Sequence, residues 1–318
     1  MNKLIVITGP TASGKTGTSI NIAKYIRDKL QKDVAIINFD SLLFYKEISI
    51  GTAKPTPEEC ESIPHYLMNI ESINHPLNAA DYIELAKSKI DELHQQNIIP
   101  ILVGGSAFYL RALLKGMYES PKTNENIRNE IDQLYNEGGI SPIIAFLKIN
   151  DPEALTYLHE NDHYRLIRAM EFFKTSGTKI SEQKKSLDML DPYDFNQIVH
   201  PWNILHLYLD LPKDVHQEII KHRTLKMFEH GLIEEVETLL KNGYSTDLKP
   251  LQSIGYKEVI MLIQGQYPSK EDCIERIIIS TRQLAKSQRT FFNKIHPKIA
   301  LNSLLDQSRI LEITRDFI

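Results

Sequence analysis

The chain has 318 residues, of which 42% are hydrophobic and 25% charged, and its formal net charge is −4. That length exceeds one small domain and fits a large α/β domain with an insertion, or two domains, while the ordinary composition excludes disorder, a collagen-like repeat and a coiled coil. A net negative molecule is not drawn to nucleic acid by a broad cationic field, so any such binding must come from local patches.

Met1-Asn2-Lys3 lead directly into the apolar run Leu4-Ile5-Val6-Ile7, leaving no room for a signal peptide, and no apolar run reaches the length of a membrane span. The expected location is the cytoplasm. Cys60 and Cys273 are far apart, with no second Cys or His at metal spacing near either. This argues against zinc and against a disulfide framework, and both are expected to be buried, reduced thiols.

The first run reads as a strand. It is followed by Gly9-Pro10-Thr11-Ala12-Ser13-Gly14-Lys15-Thr16, the pattern G-x-x-x-x-G-K-[ST], and then by a helical segment from Gly17 to Leu30. In that context the backbone N–H groups of the turn, the positive end of the helix, the Lys15 ammonium and a Mg²⁺ held by the Thr16 hydroxyl would cradle a di- or triphosphate. Read locally, the loop says nucleotide and ATP.

The second apolar run, Val34 to Phe39, ends in Asp40, followed by Ser41, Leu42 and Leu43. A carboxylate at the carboxyl end of a strand on the same sheet edge lies within reach of a bound phosphate, as a Mg²⁺ ligand or a general base. Alternatively, it only caps the next segment. From Ala79 to Gln96, Tyr82, Ile83, Ala86, Ile90 and Leu93 recur at helical spacing, and a third run, Ile98 to Val103, ends in Gly104-Gly105-Ser106, which opens another helix. That strand lacks the terminal Asp or Glu with which hydrolysing phosphate-loop enzymes commonly hold Mg²⁺ and water, which weakens a motor, switch or ATPase reading. Strand and helix alternating in this order predict a P-loop NTPase-like parallel sheet flanked by helices.

From Tyr118 to Pro201 no strand-like run appears, and polar helical stretches broken at Gly138-Gly139 and Ser176-Gly177 predict an all-helical insertion. The expected division is therefore a core of residues 1–117 and 202–318 and an insertion of residues 118–201. Arg165 and Arg168 share one helix face within it. After a fourth strand, Ile204 to Leu209, periodic segments run from Lys213 to Lys241 and from Lys270 to Lys294. In the first, Val215, Ile219, Met227, Phe228, Leu232, Val236 and Leu239 are expected to pack on the core; Arg223 on such a helix can reach back toward a phosphate, although a lone Arg on a long helix is usually solvated or salt-bridged. In the second, Arg282, Lys286 and Arg289 fall on one face while Ile277, Ile278, Leu284 and Phe291 turn elsewhere. Charged faces are usually only solvated faces, so spacing alone leaves nucleic-acid binding open. With no exposed apolar helix face left over, a monomer is expected.

Taken together the segments resemble the bacterial tRNA dimethylallyltransferase family, also called tRNA isopentenyltransferase. The resemblance covers nearly the whole chain. It rests on Gly9 to Thr16, Asp40-Ser41 with Tyr45, Ile50 to Pro55, Pro64-His65, Leu102 to Gly105 with Tyr109-Leu110, Arg165 to Glu171, Ile254 to Glu258 and Thr281 to Lys286. It implies transfer of a dimethylallyl group from dimethylallyl diphosphate to N6 of adenosine 37, in the anticodon loop of tRNAs reading U-initial codons.

On that resemblance, Gly9 to Thr16 hold a diphosphate that leaves, and Lys15, Arg223 and Thr16-bound Mg²⁺ stabilise its charge. Asp40 becomes the general base for the N6 proton, with Ser106 touching the reacting centre. The base, extruded from its loop, would lie against Asp40, Ser41, Leu42, Leu43 and Ser106, while Arg128, Arg165, Arg168, Arg282 and Lys286 would meet the tRNA anticodon stem-loop. The chain departs from the family at Ser106, where the family has Thr, and from many relatives at Leu43 and Phe291, where they have Gln and Trp. Without the resemblance, a P-loop kinase of a nucleoside or small metabolite would rank first. The same residues are also compatible with an RNA-binding, nucleotide-switched module, and with the same prenyl chemistry on free AMP.

Overall fold

The computed structural model describes residues 2–117, 124–188 and 191–318, with 186–188 described by their backbone only. The expected boundary at Tyr118 lies outside them. The chain divides into two compact units, one of residues 1–115 and 198–318, the other of residues 116–197.

The larger unit is built on a six-stranded sheet, parallel throughout. Its strands are β1 (Asn2–Thr8), β2 (Val34–Asn38), β3 (His65–Tyr66), β4 (Ile99–Val103), β5 (Trp202–Asp210) and β6 (Ile299–Asn302), in the spatial order β3-β2-β4-β1-β5-β6. The predicted parallel sheet flanked by helices is thus present. Continuous apolar runs form its centre because both faces are covered: Leu4, Ile5, Val6 and Ile7 are all fully buried. Each such side chain contributes about 1.5–3 kcal/mol of transfer free energy.

Two strands escape sequence reading. β3 has two residues and β6 has four, too short for a period to emerge, and both lie at sheet edges.

Helices α1 (Lys15–Lys29), α2 (Ala79–Gln95) and α3 (Ala107–Lys115) connect the first strands. On α1, Ile20, Ile22, Ala23 and Ile26 join Ile5, Ile7, Ile36 and Ile101 in one core cluster. The segment expected as one periodic helix to Lys241 is two, α8 (Lys213–Glu229) and α9 (Leu232–Lys241), because Gly231 takes a left-handed φ of 94° that ends the first and starts the second. The inward face of α8 also differs from expectation: Val215 is exposed, and His216, Ile220, Thr224 and Phe228 are buried at steps of four. On α11 (Lys270–Phe292), Leu284 is likewise exposed rather than turned to the core. A second cluster, including Tyr45, Phe228, Leu232, Val236, Tyr256 and Ile277, joins α8, α9, α10 (Tyr256–Ile263) and α11. Cys273 is buried in it, whereas Cys60 is only half-buried, since it sits in a polar turn rather than an element.

The smaller unit is helical: α4 (Glu125–Gly138), α5 (Ser141–Asn150), α6 (His163–Ser176) and α7 (Ile180–Asp188). Ile131, Ile143, Leu147, Leu166, Ala169 and Met170 form its core. Asp151, almost fully buried, accepts hydrogen bonds from the Ser181 backbone and hydroxyl at 3.1 and 2.5 Å, tying the start of α7 to the end of α5. The C-terminal α12 (Gln307–Phe317) belongs to the larger unit. Among the described residues, no helix is long and apolar enough to cross a membrane.

Candidate active site

The loop after β1, where a phosphate cradle is expected, is a tight turn running into α1. Gly14 has φ 84°, a left-handed conformation that L side chains rarely adopt, and from it the chain turns directly into α1. Its carbonyl already accepts the helical hydrogen bond from Thr18 N–H at 3.0 Å. Ser13 is fully buried and its Oγ has no hydrogen-bond partner among the described residues, while Thr16 is exposed in the first turn of α1. Lys15 folds back on its own loop, donating to the Gly9 and Pro10 carbonyls at 3.0 and 2.7 Å. Burial lowers its pKa to about 8, with Asp40 opposing the shift and Arg223 adding to it.

Thr11 is gripped at every polar atom. Its N–H donates to Gln288 Oε1 at 2.7 Å, its carbonyl accepts from His216 Nε2 at 2.8 Å, and its hydroxyl accepts from Arg223 Nη1 at 3.1 Å. Because Arg289 Nη2 lies 3.0 Å from His216 Nδ1 and can only donate, Nδ1 is the acceptor and the proton is on Nε2. Burial, more than any neighbour, lowers the His216 pKa and favours this neutral form.

Arg223 also donates to the Thr52 carbonyl at 3.3 Å, but its Nε is buried without a partner among the described residues. Burial lowers its pKa, while Asp40 raises it. The loop carrying Thr52 is held by Glu235 on α9, whose carboxylate accepts from the N–H groups of Ser49, Ile50 and Gly51 at 2.9, 2.9 and 3.2 Å and from the Tyr256 hydroxyl at 2.5 Å.

Beside the cradle, β2 and β4 deliver a second group of residues. The buried Asn38, last in β2, accepts from the Asp40 N–H at 2.8 Å and donates to the Asp40 and Leu67 carbonyls at 3.0 and 2.9 Å. Asp40 Oδ1 accepts from Leu42 N–H at 3.1 Å, so one carboxylate oxygen does cap the following turn. Ser106 Oγ accepts from Ser41 N–H at 3.1 Å, joining the turn after β4 to the turn after β2. Ser41, Leu42 and Leu43 are half-buried there, and Phe44 beneath them stacks on Tyr82 and Tyr109.

The expected cationic residues behave unequally. Arg282 and Lys286 line a groove between α8 and α11 with Lys213 and Gln217, and Arg282 Nε is buried without a partner among the described residues. Arg289 lines the same groove but is also held in an ion pair with Asp210 at 2.6 Å, because β5 ends with a carboxylate beneath it. In the helical unit, Arg165 is 70% exposed and lies 3.0 Å from Asp162. Arg168 bonds Glu171 on the next turn, and Arg128 Nε approaches the other oxygen of that buried carboxylate at 3.4 Å. The shared basic face of Arg165 and Arg168 is therefore partly drawn inward.

Asn38, Asp210, His216, Glu235 and Gln288 give no signal in the sequence. Each acts through a backbone group or another side chain distant in sequence, which spacing does not reveal.

The chain's residues 43–295 match the family model described as IPP transferase. Among curated proteins, it is 37% identical to tRNA dimethylallyltransferase 2 of Geotalea uraniireducens, covering 92% of this chain and 89% of that one. It is 38% identical to the tRNA dimethylallyltransferase of Prochlorococcus marinus, covering 99% and 97%. Among solved structures, the tRNA isopentenylpyrophosphate transferase of Bacillus halodurans superposes with a TM-score of 0.70 at 30% identity, covering 99% of this chain and 95% of that one. A eukaryotic dimethylallyltransferase acting on tRNA gives 0.79 at 26% identity, covering 99% and 79%. The chain belongs to the IPP transferase family.

Proposed function

We propose that this protein transfers a dimethylallyl group from dimethylallyl diphosphate to N6 of adenosine 37 in the anticodon loop of tRNA, releasing diphosphate. The observation that carries this reading is the pairing of two half-sites on one sheet edge. The loop of Lys15, with Arg223 of α8 beside it and that guanidinium's Nε buried without a partner among the described residues, adjoins a turn that Asp40 opens and Ser106 pins. An anion cradle next to a carboxylate is what a displacement needs when a diphosphate leaves and an amine loses a proton.

In the reaction, the allylic C–O bond breaks as the N6–C bond forms, and the electron pair of the broken bond goes to diphosphate. Lys15, Arg223 and the N–H groups of Ala12 to Thr16 take up that charge, and the unpartnered guanidinium nitrogen gains an oxygen acceptor. Adenine N6 is a weak nucleophile because its lone pair is delocalised into the ring; it becomes acidic as it bonds carbon, and Asp40 then accepts its proton. Ser41, Leu42 and Leu43 line the base pocket, and extrusion of the base from a loop costs only modest unstacking. Arg128, Arg165 and Arg168, with Arg282 and Lys286, hold the stem-loop backbone electrostatically. A monomer suffices for this chemistry.

The donor set fits Mg²⁺: the exposed Thr16 hydroxyl opens α1 beside the cradle, and a hard ion that keeps much of its water needs little more from the protein than one such oxygen plus those of the diphosphate. When bound, it would neutralise diphosphate charge.

The test is incubation of the purified protein with Mg²⁺, dimethylallyl diphosphate and unmodified tRNA, followed by nuclease digestion and mass spectrometry. Prenylated adenosine is expected. Its absence, together with phosphorylation of a small acceptor by ATP, would replace this reading by a kinase.

A further inference from the structure

Two half-sites must be held in register for this chemistry, and they leave different strands. The cradle follows β1, while Asp40 and Ser106 follow β2 and β4. Reacting atoms need to approach to about 3–3.5 Å, and a misplacement of about 1 Å costs on the order of 10²-fold in rate. Backbone bonds at this edge of the sheet reach the Gly104 N–H, which donates to the Ile7 carbonyl at 3.3 Å, and the cradle and Gly105 lie beyond that point.

We infer that Gln288 on α11 is a positioning residue that spans the two half-sites and sets the distance between the leaving diphosphate and the acceptor amine. Its Oε1 accepts from the Thr11 N–H at 2.7 Å and its Nε2 donates to the Gly105 carbonyl at 3.0 Å. The two bonds use opposite ends of one planar amide, so the amide has a single orientation: turned over, N–H would face N–H and oxygen would face oxygen. Contact on the Gly105 side is close. A Cβ built on Gly105 would lie 2.7 Å from Gln288 Nε2 and 3.8 Å from Asp40 Oδ2, so the absence of a side chain there admits the bridge.

From Gly105 the path continues within the next residue, since Ser106 Oγ holds the Ser41 N–H beside Asp40. From Thr11 it continues to the Arg223 guanidinium through the threonine hydroxyl. The helix that carries Gln288 is itself fixed at the adjacent residue, where Arg289 pairs with Asp210. Gln288 therefore bonds the cradle at Thr11 and the turn after β4 at Gly105, and through them connects Arg223 to the turn beside Asp40.

This inference rests on the prenyl-transfer reading. The test compares wild type with Gln288→Met, which keeps the length and loses both bonds, and with Gln288→Asn, which keeps the amide one methylene short. Single-turnover rates are measured with dimethylallyl diphosphate and a tRNA transcript, beside the separate affinities for each substrate and the melting temperature.

For Gln288→Met, turnover is expected to fall about 10- to 100-fold with both affinities within about 3-fold of wild type, and Gln288→Asn should fall between. Turnover of Gln288→Met within about 3-fold of wild type would overturn the inference, as would a loss carried wholly by weaker diphosphate binding. If the Met variant does not fold, Gln288→Asn is read by the same criteria. A wild-type protein that fails to prenylate tRNA overturns the functional reading and this inference together. An active wild type with an equally active variant overturns this inference alone.

Discussion

Arg289 on α11 and Asp210 at the end of β5 form a two-point ion pair, with Nε and Nη2 at 3.0 and 2.6 Å from Oδ1 and Nε at 2.8 Å from Oδ2. The same guanidinium reaches His216, which holds the Thr11 carbonyl, so a structural pair stands behind the cradle. Burial alone would raise the Asp210 pKa, but hydrogen bonds from Arg289 and the Leu211 N–H hold it below the ordinary 3.8. A depressed carboxylate stabilises the fold above its unfolded value and loses that contribution as pH falls through the folded value. Asp210→Asn is therefore expected to cost about 1.5–3 kcal/mol at neutral pH, the scale of a hydrogen bond to a charged group. The deficit should shrink toward zero as the medium is acidified below 3.8. Urea unfolding of both proteins across that range checks it, and a deficit independent of pH would count against the pair.

Lys15 yields a pH dependence of ligand binding. Burial lowers its pKa to about 8, so the free cradle loses this positive charge as pH rises through that value. A diphosphate favours the charged form and should restore the proton. Affinity for dimethylallyl diphosphate is then expected to be flat well below pH 8 and to decline above it, with proton uptake on binding. Calorimetry in buffers of different ionisation enthalpy measures that uptake. Lys15→Met should bind more weakly and show no such decline. A wild-type affinity that is constant across this range would mean another group supplies the charge.

The phosphate loop, the central strands and Asp40 were legible because each depends on local sequence: a run of Leu4 to Ile7, a fixed glycine spacing, a carboxylate ending a strand. Arg223 was legible as a cation on a helix, but its target was not, since Thr11 lies 212 residues away. Gln288 and His216 carried no sequence signal at all, because a glutamine or histidine on an amphipathic helix looks like surface until the fold supplies its partners. For the same reason Arg282, Lys286 and Arg289 read alike by spacing, and only the carboxylate beneath Arg289 separates it from the others. The break at Gly231 was missed because the apolar period continues across it, from Phe228 to Leu232 and Val236. β3 and β6 were too short to have a period.

Asp40→Asn tests the assigned base without disturbing its surroundings. The Asp40 main chain is held by Asn38, and an asparagine amide oxygen can still accept from the Leu42 N–H. Melting temperature and tRNA affinity should stay near wild type. Turnover should fall by about 10²-fold or more, as expected for a lost general base. Single-turnover prenylation under saturating substrates makes the comparison, and near-normal turnover would remove Asp40 from the chemistry.

Within a single helix of the helical unit, the proposed RNA contact can be tested apart from structure. Arg165 is 70% exposed and pairs with the partly exposed Asp162, whereas Arg168 bonds Glu171, a carboxylate only 5% exposed. Removing Arg165 therefore leaves no buried charge behind, and an exposed pair of this kind contributes at most about 1 kcal/mol. Arg165→Ala should keep the melting temperature while weakening tRNA binding, and the slope of log K against log salt should become shallower by about 0.7–0.9, the value for one phosphate contact. Arg168→Ala should lower the melting temperature as well, because among the described residues Arg128 at 3.4 Å is then left to pair with the buried Glu171. Binding titrations at several salt concentrations, beside thermal melts, distinguish the two. An unchanged salt slope in Arg165→Ala would mean that this side chain faces solvent in the complex.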